Sequence, residues 1–157
     1  MAERRRLTAR GEERRRQLLE YAAKRFAEHG YHPTSVADIV GGVGVGKGVF
    51  YWYFESKEQL FLELLRESQR SLRRFQRDAI AGEPDPVRRI ELGIRASMRW
   101  WAEHPDVMNL VQFAATERTF APALRRGQEI ALGDAVTHLK DAIAEGRIRD
   151  ADPEALG

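Results

Sequence analysis

Apolar residues recur along this chain at steps of three and four, and no segment alternates with the two-residue period of a half-buried strand. The stripe Leu18, Leu19, Ala22, Ala23 and Phe26 predicts a first helix, ended by Gly30, a residue free to adopt positive φ. A short second helix is expected from Val36 to about Gly42, capped by Thr34 or Ser35 and carrying Asp38 in its first turn. Gly44 supplies a turn, and Lys47 to Phe54 forms another short helix. Ser56-Lys57-Glu58-Gln59 reads as a capping box opening a long helix with the stripe Phe61, Leu64, Leu65, Leu72 and Phe75.

The sharpest break follows at Gly82-Glu83-Pro84-Asp85-Pro86, where Asp85 caps and Pro86 begins the next helix. That helix carries Val87, Ile90, Ile94, Met98 and Trp101 as its inward stripe, and Pro105 interrupts it. Residues 107–115 are apolar almost all round, which predicts a helix enclosed by neighbours. Pro122 begins a last helix with Leu132, Ala135, Val136, Leu139 and Ile143 inward and Gly146 at its end. The pattern predicts an all-α protein, with an N-terminal three-helix helix-turn-helix head (1–56) on a C-terminal helical bundle body (57–157).

Composition narrows the classes. Of 157 residues, 43% are hydrophobic, enough for a core, and none is cysteine, which excludes disulfides and thiolate metal sites. The opening MAERRR has no apolar stretch behind it, unlike a secretory signal. No run approaches the roughly 18 uninterrupted apolar residues of a membrane span. The expectation is a soluble, cytoplasmic protein with no membrane partner. The net charge of +2 is uneven: residues 1–57 hold 11 Lys/Arg against 7 Asp/Glu, and residues 58–157 hold 15 against 17. A basic end with seven arginines in its first sixteen residues suits a polyanion, although such a tail also serves as a solvated surface.

Two short helices joined by a glycine-containing turn, behind a packed helix and a basic arm, form a helix-turn-helix unit. In that geometry the second helix enters the major groove and the first crosses the backbone. Val36, Ile39, Val40, Val45 and Phe50 are the expected internal contacts. Lys47 opens the second helix, where a cation can meet phosphate or base edges, and Gly48 permits close approach of the backbone. Tyr51, Trp52 and Tyr53 are consecutive helical positions spanning about 200° of arc, so at least one faces outward.

These residues carry a resemblance. Leu18–Leu65 closely resembles the N-terminal domain of the TetR family of bacterial repressors, through Phe26…Gly30-Tyr31, Thr34-Ser35-Val36, Asp38-Ile39, Gly44-Val45, Lys47-Gly48, Tyr51…Phe54 and Ser56-Lys57-Glu58. The resemblance implies that Thr34 contacts phosphate, that Lys47, Gly48, Val49 and Trp52 approach base edges, and that Tyr51, Tyr53 and Lys57 grip the backbone. The arm arginines Arg4, Arg5, Arg6 and Arg10 would reach the adjacent minor groove. It further implies a homodimer on a palindromic double-stranded DNA operator, controlled by a small-molecule effector bound in the body. On this reading 1–56 binds DNA and 57–157 binds effector and dimerises, without the family's last two helices.

Three departures stand out. Gly46 replaces the family's usual serine or threonine, which removes a side-chain cap. Gly41 and Gly42 sit at ordinary helix positions, each costing roughly 1 kcal/mol relative to alanine. The chain stops at ADPEALG, where the family begins its main dimer interface.

Other chemistries are weaker. Gly41-Gly42-Val43-Gly44-Val45-Gly46-Lys47-Gly48 nearly spells a phosphate-binding loop but ends in Gly48 where a magnesium-binding hydroxyl belongs. His29, His32, His104 and His138 are too scattered for a metal site, and no Ser/His/acid set can be assembled, so no metal, cofactor or catalytic residue is assigned. Met98, Trp101, Met108, Phe113 and Phe120 are the candidate lining of an apolar or aromatic effector pocket, although an aromatic stripe of this kind more often serves as plain core. The leading expectation is a ligand-controlled repressor. The alternatives are an effector-independent regulator of the same fold or an enzyme using the aromatic cavity.

Overall fold

The computed structural model describes residues 8–149. Among them the chain forms seven helices and no strand: α1 (Ala9–His29), α2 (Val36–Val43), α3 (Lys47–Tyr53), α4 (Lys57–Ile80), α5 (Pro86–Glu103), α6 (Pro105–Thr116) and α7 (Ala121–Ala144). The chain divides into two compact units, Met1–Leu64 and Leu65–Gly157. The division falls inside α4 rather than at residue 57, because Leu60, Phe61 and Leu64 are buried in the first unit. The Phe61 ring lies 5.6 Å from Phe26 and 5.1 Å from Tyr31.

In the head, α1 buries Leu18, Leu19, Ala22 and Phe26, as its stripe predicts, and ends at Gly30 with φ 87°. Ser35 is the cap of α2. Its hydroxyl accepts from the Asp38 amide at 3.1 Å, while the Asp38 carboxylate accepts from the Ser35 amide at 2.8 Å. The hydrogen bond from the Ser35 hydroxyl, then that from its amide, holds the Asp38 carboxyl below the usual aspartate range. Ile39, Val40 and Phe50 close the core between α2 and α3, and Val36 and Val45 are half-buried. Gly44 adopts the left-handed conformation expected of the turn.

Gly42 has a reason that its helix position did not reveal. A Cβ there would stand 1.8 Å from the Tyr21 ring, so the missing side chain lets α1 and α2 approach. Gly46 caps α3 without a side-chain hydrogen bond, as the departure from the family pattern implies. Ser56 accepts from the Gln59 amide at 3.0 Å, but the Gln59 side chain reaches back to the amide of Glu55, at 2.6 Å, one residue earlier than a capping box requires.

In the body, Asp85 caps α5 through the amides of Val87 and Arg88. The second half of α4 ties to its neighbours through polar groups. Trp100 Nε1 donates to Ser71 Oγ at 3.3 Å, Gln76 Nε2 to Ser97 Oγ at 2.7 Å, and Gln69 Nε2 to the Leu124 carbonyl at 3.4 Å. The inward face of α5 differs from its predicted stripe. Ala96 and Trp100 are buried, whereas Val87, Ile94 and Met98 are exposed, Met98 to 68%. Trp100 stacks on His104 at 4.2 Å, and this large ring, not Trp101, sets which side of α5 turns inward.

α6 is not enclosed all round either. It packs against α5 and α7 with Leu110 and Ala114 buried, and its opposite side, including Met108, Gln112 and Ala115, is exposed. On α7, Val136 is buried as predicted and Leu132 is exposed. Among the described residues no helix is long and apolar enough to cross a membrane, and no group of His, Asp and Glu is placed to hold a metal ion.

Candidate nucleic-acid interface

α3 has only seven residues, and its orientation rests on one deeply buried ring. Phe50 is fully buried and lies 5.6 Å from the buried Phe54. The Arg15 guanidinium stands 5.4 Å over Phe54 while it donates to Glu63 at 2.9 Å, joining α1, α4 and the end of α3. At 100° per residue, Lys47, Gly48, Tyr51 and Trp52 share an arc of about 140° whose middle points about 130° away from Phe50. All four are exposed, Tyr51 to 55% and Trp52 to 63%. Val49 borders that face, Tyr53 lies nearly opposite its middle, and both are half-buried.

This face combines a primary ammonium, a phenol, an indole and a backbone with open space in front of Gly48. Ammonium and hydroxyl groups donate to phosphate oxygens, and Lys47 also suits the acceptor edge of guanine. Two large aromatic rings standing in water are costly unless a partner covers them.

Two other predicted contacts sit elsewhere. Thr34 is 1% exposed, and its hydroxyl donates inward to the Gly30 carbonyl at 2.8 Å, so it offers no phosphate contact. Lys57 Nζ donates to the carbonyls of Tyr31 and Thr34, both at 2.8 Å, and lies 4.2 Å over the Tyr31 ring. Its first task is therefore internal: it clamps the α1–α2 loop to α4. Burial pushes its ammonium below the usual lysine range. Sequence spacing missed this clamp because its partners are carbonyls more than twenty residues away.

The basic arm is also less uniform than its composition suggests. Arg16 pairs with Glu13 and Glu20 on α1, and Arg15 is committed to Glu63. Arg10 is exposed, and Arg4, Arg5 and Arg6 lie outside the described residues.

In the body, a cavity of about 660 Å³ opens among α4, α5 and α7. Its walls include Ile80, Ile90, Arg73, Arg77, Arg89 and His138. The predicted effector residues do not line it. Phe120 is buried, its ring 6.1 Å from the half-buried Phe113; Trp101 is half-buried; and Met98 and Met108 are exposed. The displacement follows from the rotation of α5, which turns Met98 outward and brings Gly93 and Ser97 to the cavity wall.

The helices thus define a helix-turn-helix protein with an all-helical body. Residues 18–64 match the profile described as bacterial regulatory proteins, tetR family. Over those residues the chain is similar to that family. The repressor KstR2 of Mycobacterium tuberculosis (strain ATCC 25618 / H37Rv) is 41% identical over 78 residues, 50% of this chain and 39% of that protein. The structure of the ketosteroid transcriptional regulator KstR2 of Mycobacterium tuberculosis superposes with a TM-score of 0.66 at 29% identity, covering 96% of this chain and 76% of that one. The fatty acid degradation regulator FadR from Bacillus halodurans gives a TM-score of 0.79 over 89% of this chain and 77% of that one, at 20% identity, a likeness of fold. The chain spans less than half the length of the curated relatives it first matches, 45% of an Escherichia coli (strain K12) protein named for repression of the acrEF/envCD operon and 39% of KstR2.

Proposed function

We propose that the protein is a sequence-specific DNA-binding transcriptional regulator that acts as a repressor under the control of a small molecule. The observation that carries this reading is the outward face of α3, where Lys47, Gly48, Tyr51 and Trp52 stand exposed on a helix anchored by Phe50. Relatives named as transcriptional repressors support repression over catalysis. Exposed apolar side chains on α5 and α7, among them Met98, Ile130 and Leu132, support a homodimer as the working form. A dimer reads two half-sites about 34–36 Å apart, so the operator is palindromic.

Control works by population shift. An effector that prefers a body conformation poorly suited to operator binding lowers operator affinity, and the operator lowers effector affinity by the same factor. The cavity among α4, α5 and α7 is the proposed effector site, in place of the Met98–Phe120 cluster.

Selection of bound sequences from random DNA tests the reading. It should return a two-fold symmetric site. Lys47→Ala should cost about 1–3 kcal/mol on that site and less on random DNA, whereas Tyr51→Ala should weaken both alike. A selection that returns no enriched sequence would overturn the proposal, and an unchanged operator preference in Lys47→Ala would overturn the role given to α3.

A further inference from the structure

We infer that the body cavity takes an amphipathic anion, its oxyanion head held by Arg73, Arg77 and Arg89 and its apolar chain lying against Ile80, Ile90 and Leu139. The inference rests on the reading of this cavity as the effector site, and it adds the chemistry of the ligand.

The walls carry three guanidiniums, from α4 and α5, against the single carboxylate of Asp134. Arg73 and Arg77 make no ion pair among the described residues. Arg89 is only half engaged: one terminal nitrogen stands 3.5 Å from Asp141, while its Nε is buried with no hydrogen-bond partner among the described residues. His138 Nδ1, on the facing wall, is likewise buried and unpartnered. Buried polar atoms of this kind are almost always paired; the two side chains that carry them line a cavity with surplus positive charge, and that surplus points to an anionic occupant. The planar fork of a guanidinium matches a carboxylate or a phosphate in geometry.

Much of the remaining wall is apolar. Ile80, Ile90, Ile94 and Leu139, with Ala131 and Ala135, would cover a hydrocarbon chain. The volume of about 660 Å³ falls within the range of small-molecule sites, about 300–1,000 Å³. A fully apolar ligand would leave the surplus positive charge without a counter-ion, and a small inorganic anion would leave the isoleucines uncovered.

Calorimetric titration of the full chain with decanoate, decyl phosphate and decanol tests the assignment. At least one anion should bind tenfold or more tightly than decanol, and which one does so identifies the head group. Arg77→Gln and Arg89→Gln should each weaken that anion about tenfold and leave decanol unchanged. Arg77 is exposed and makes no ion pair among the described residues, so its variant keeps the test open if Arg89→Gln fails to fold. Neither anion exceeding decanol, or an anion affinity unchanged in Arg77→Gln, would overturn the inference. Operator binding by the unliganded protein is measured separately, so failure of the anion leaves the DNA-binding reading standing, and failure on DNA is seen as its own result.

Discussion

Apart from Tyr51 and Trp52 on α3, the head closes over its large apolar side chains, whereas the body leaves several of its own in water. Phe50, Phe54, Phe61, Leu18, Ile39 and Leu60 are fully buried, and all belong to the first unit. In the second unit the buried set includes small residues, Ala96, Ala114 and Ala142, while Val87, Ile94, Met98, Met108, Ile130 and Leu132 are exposed. The head is finished by interactions within itself. The body holds its helices partly by polar ties such as Gln76–Ser97 and surrounds a cavity.

The sharpest way to break this contrast is a truncation in each unit. Phe50→Ala should destabilise the head by about 3–5 kcal/mol, because it removes a fully buried ring and leaves a cavity. Met98→Ala, at an apolar residue that is mostly exposed, should stay within about 0.5 kcal/mol. Chemical denaturation followed by circular dichroism compares the two, and equal losses would erase the distinction between a closed head and an open body.

A glycine pair sharpens it next. Gly42→Ala should cost about 1–3 kcal/mol, since its Cβ would overlap the Tyr21 ring. Gly41→Ala meets open space on the same helix and should stabilise by about 0.5–1 kcal/mol. Melting temperatures moving in opposite directions would show that one helical glycine serves packing and its neighbour does not.

Lys57→Met comes third, at about 1–2 kcal/mol, through loss of the two carbonyl contacts that clamp the α1–α2 loop. Its effect on DNA binding should follow the loss of folded protein. A lower salt dependence at unchanged stability would instead restore Lys57 as a phosphate contact.

The smallest effect concerns pH. The folded Asp38 carboxyl lies below its unfolded value, so its contribution is present above the ordinary aspartate range and is lost as pH falls through the folded value. Asp38→Asn should therefore be less stable than the natural chain at neutral pH. That difference should shrink below about pH 4 in a melting titration.

Helix ends were legible in the residues because their determinants are local. Asp85 and Ser35 cap with their own side chains, Gly30 and Gly44 take positive φ, and Pro86 stands at the start of α5, all within a few residues of the feature they control. The outward face of α3 was legible for the same reason, since three consecutive aromatics on one helix cannot all point inward.

Which stripe of a helix becomes core is a different matter. α5 carries two apolar lines, one through Val87, Ile94 and Met98 and one through Ala96 and Trp100, and periodicity favours the first because it is longer. Packing selected the second: Trp100 donates to Ser71 and stacks on His104. Lys57 found backbone carbonyls and Gly42 made room for Tyr21, each through a partner distant in sequence, while Thr34 turned inward to the nearby Gly30 carbonyl. The residues by themselves determined the helices, their ends and the exposed face of α3, because hydrogen bonds and dihedral preferences within a turn act over a few positions. Only the tertiary structure decided which faces are buried, which cations are already engaged and where the cavity lies, because these depend on what a neighbouring helix brings to the other side.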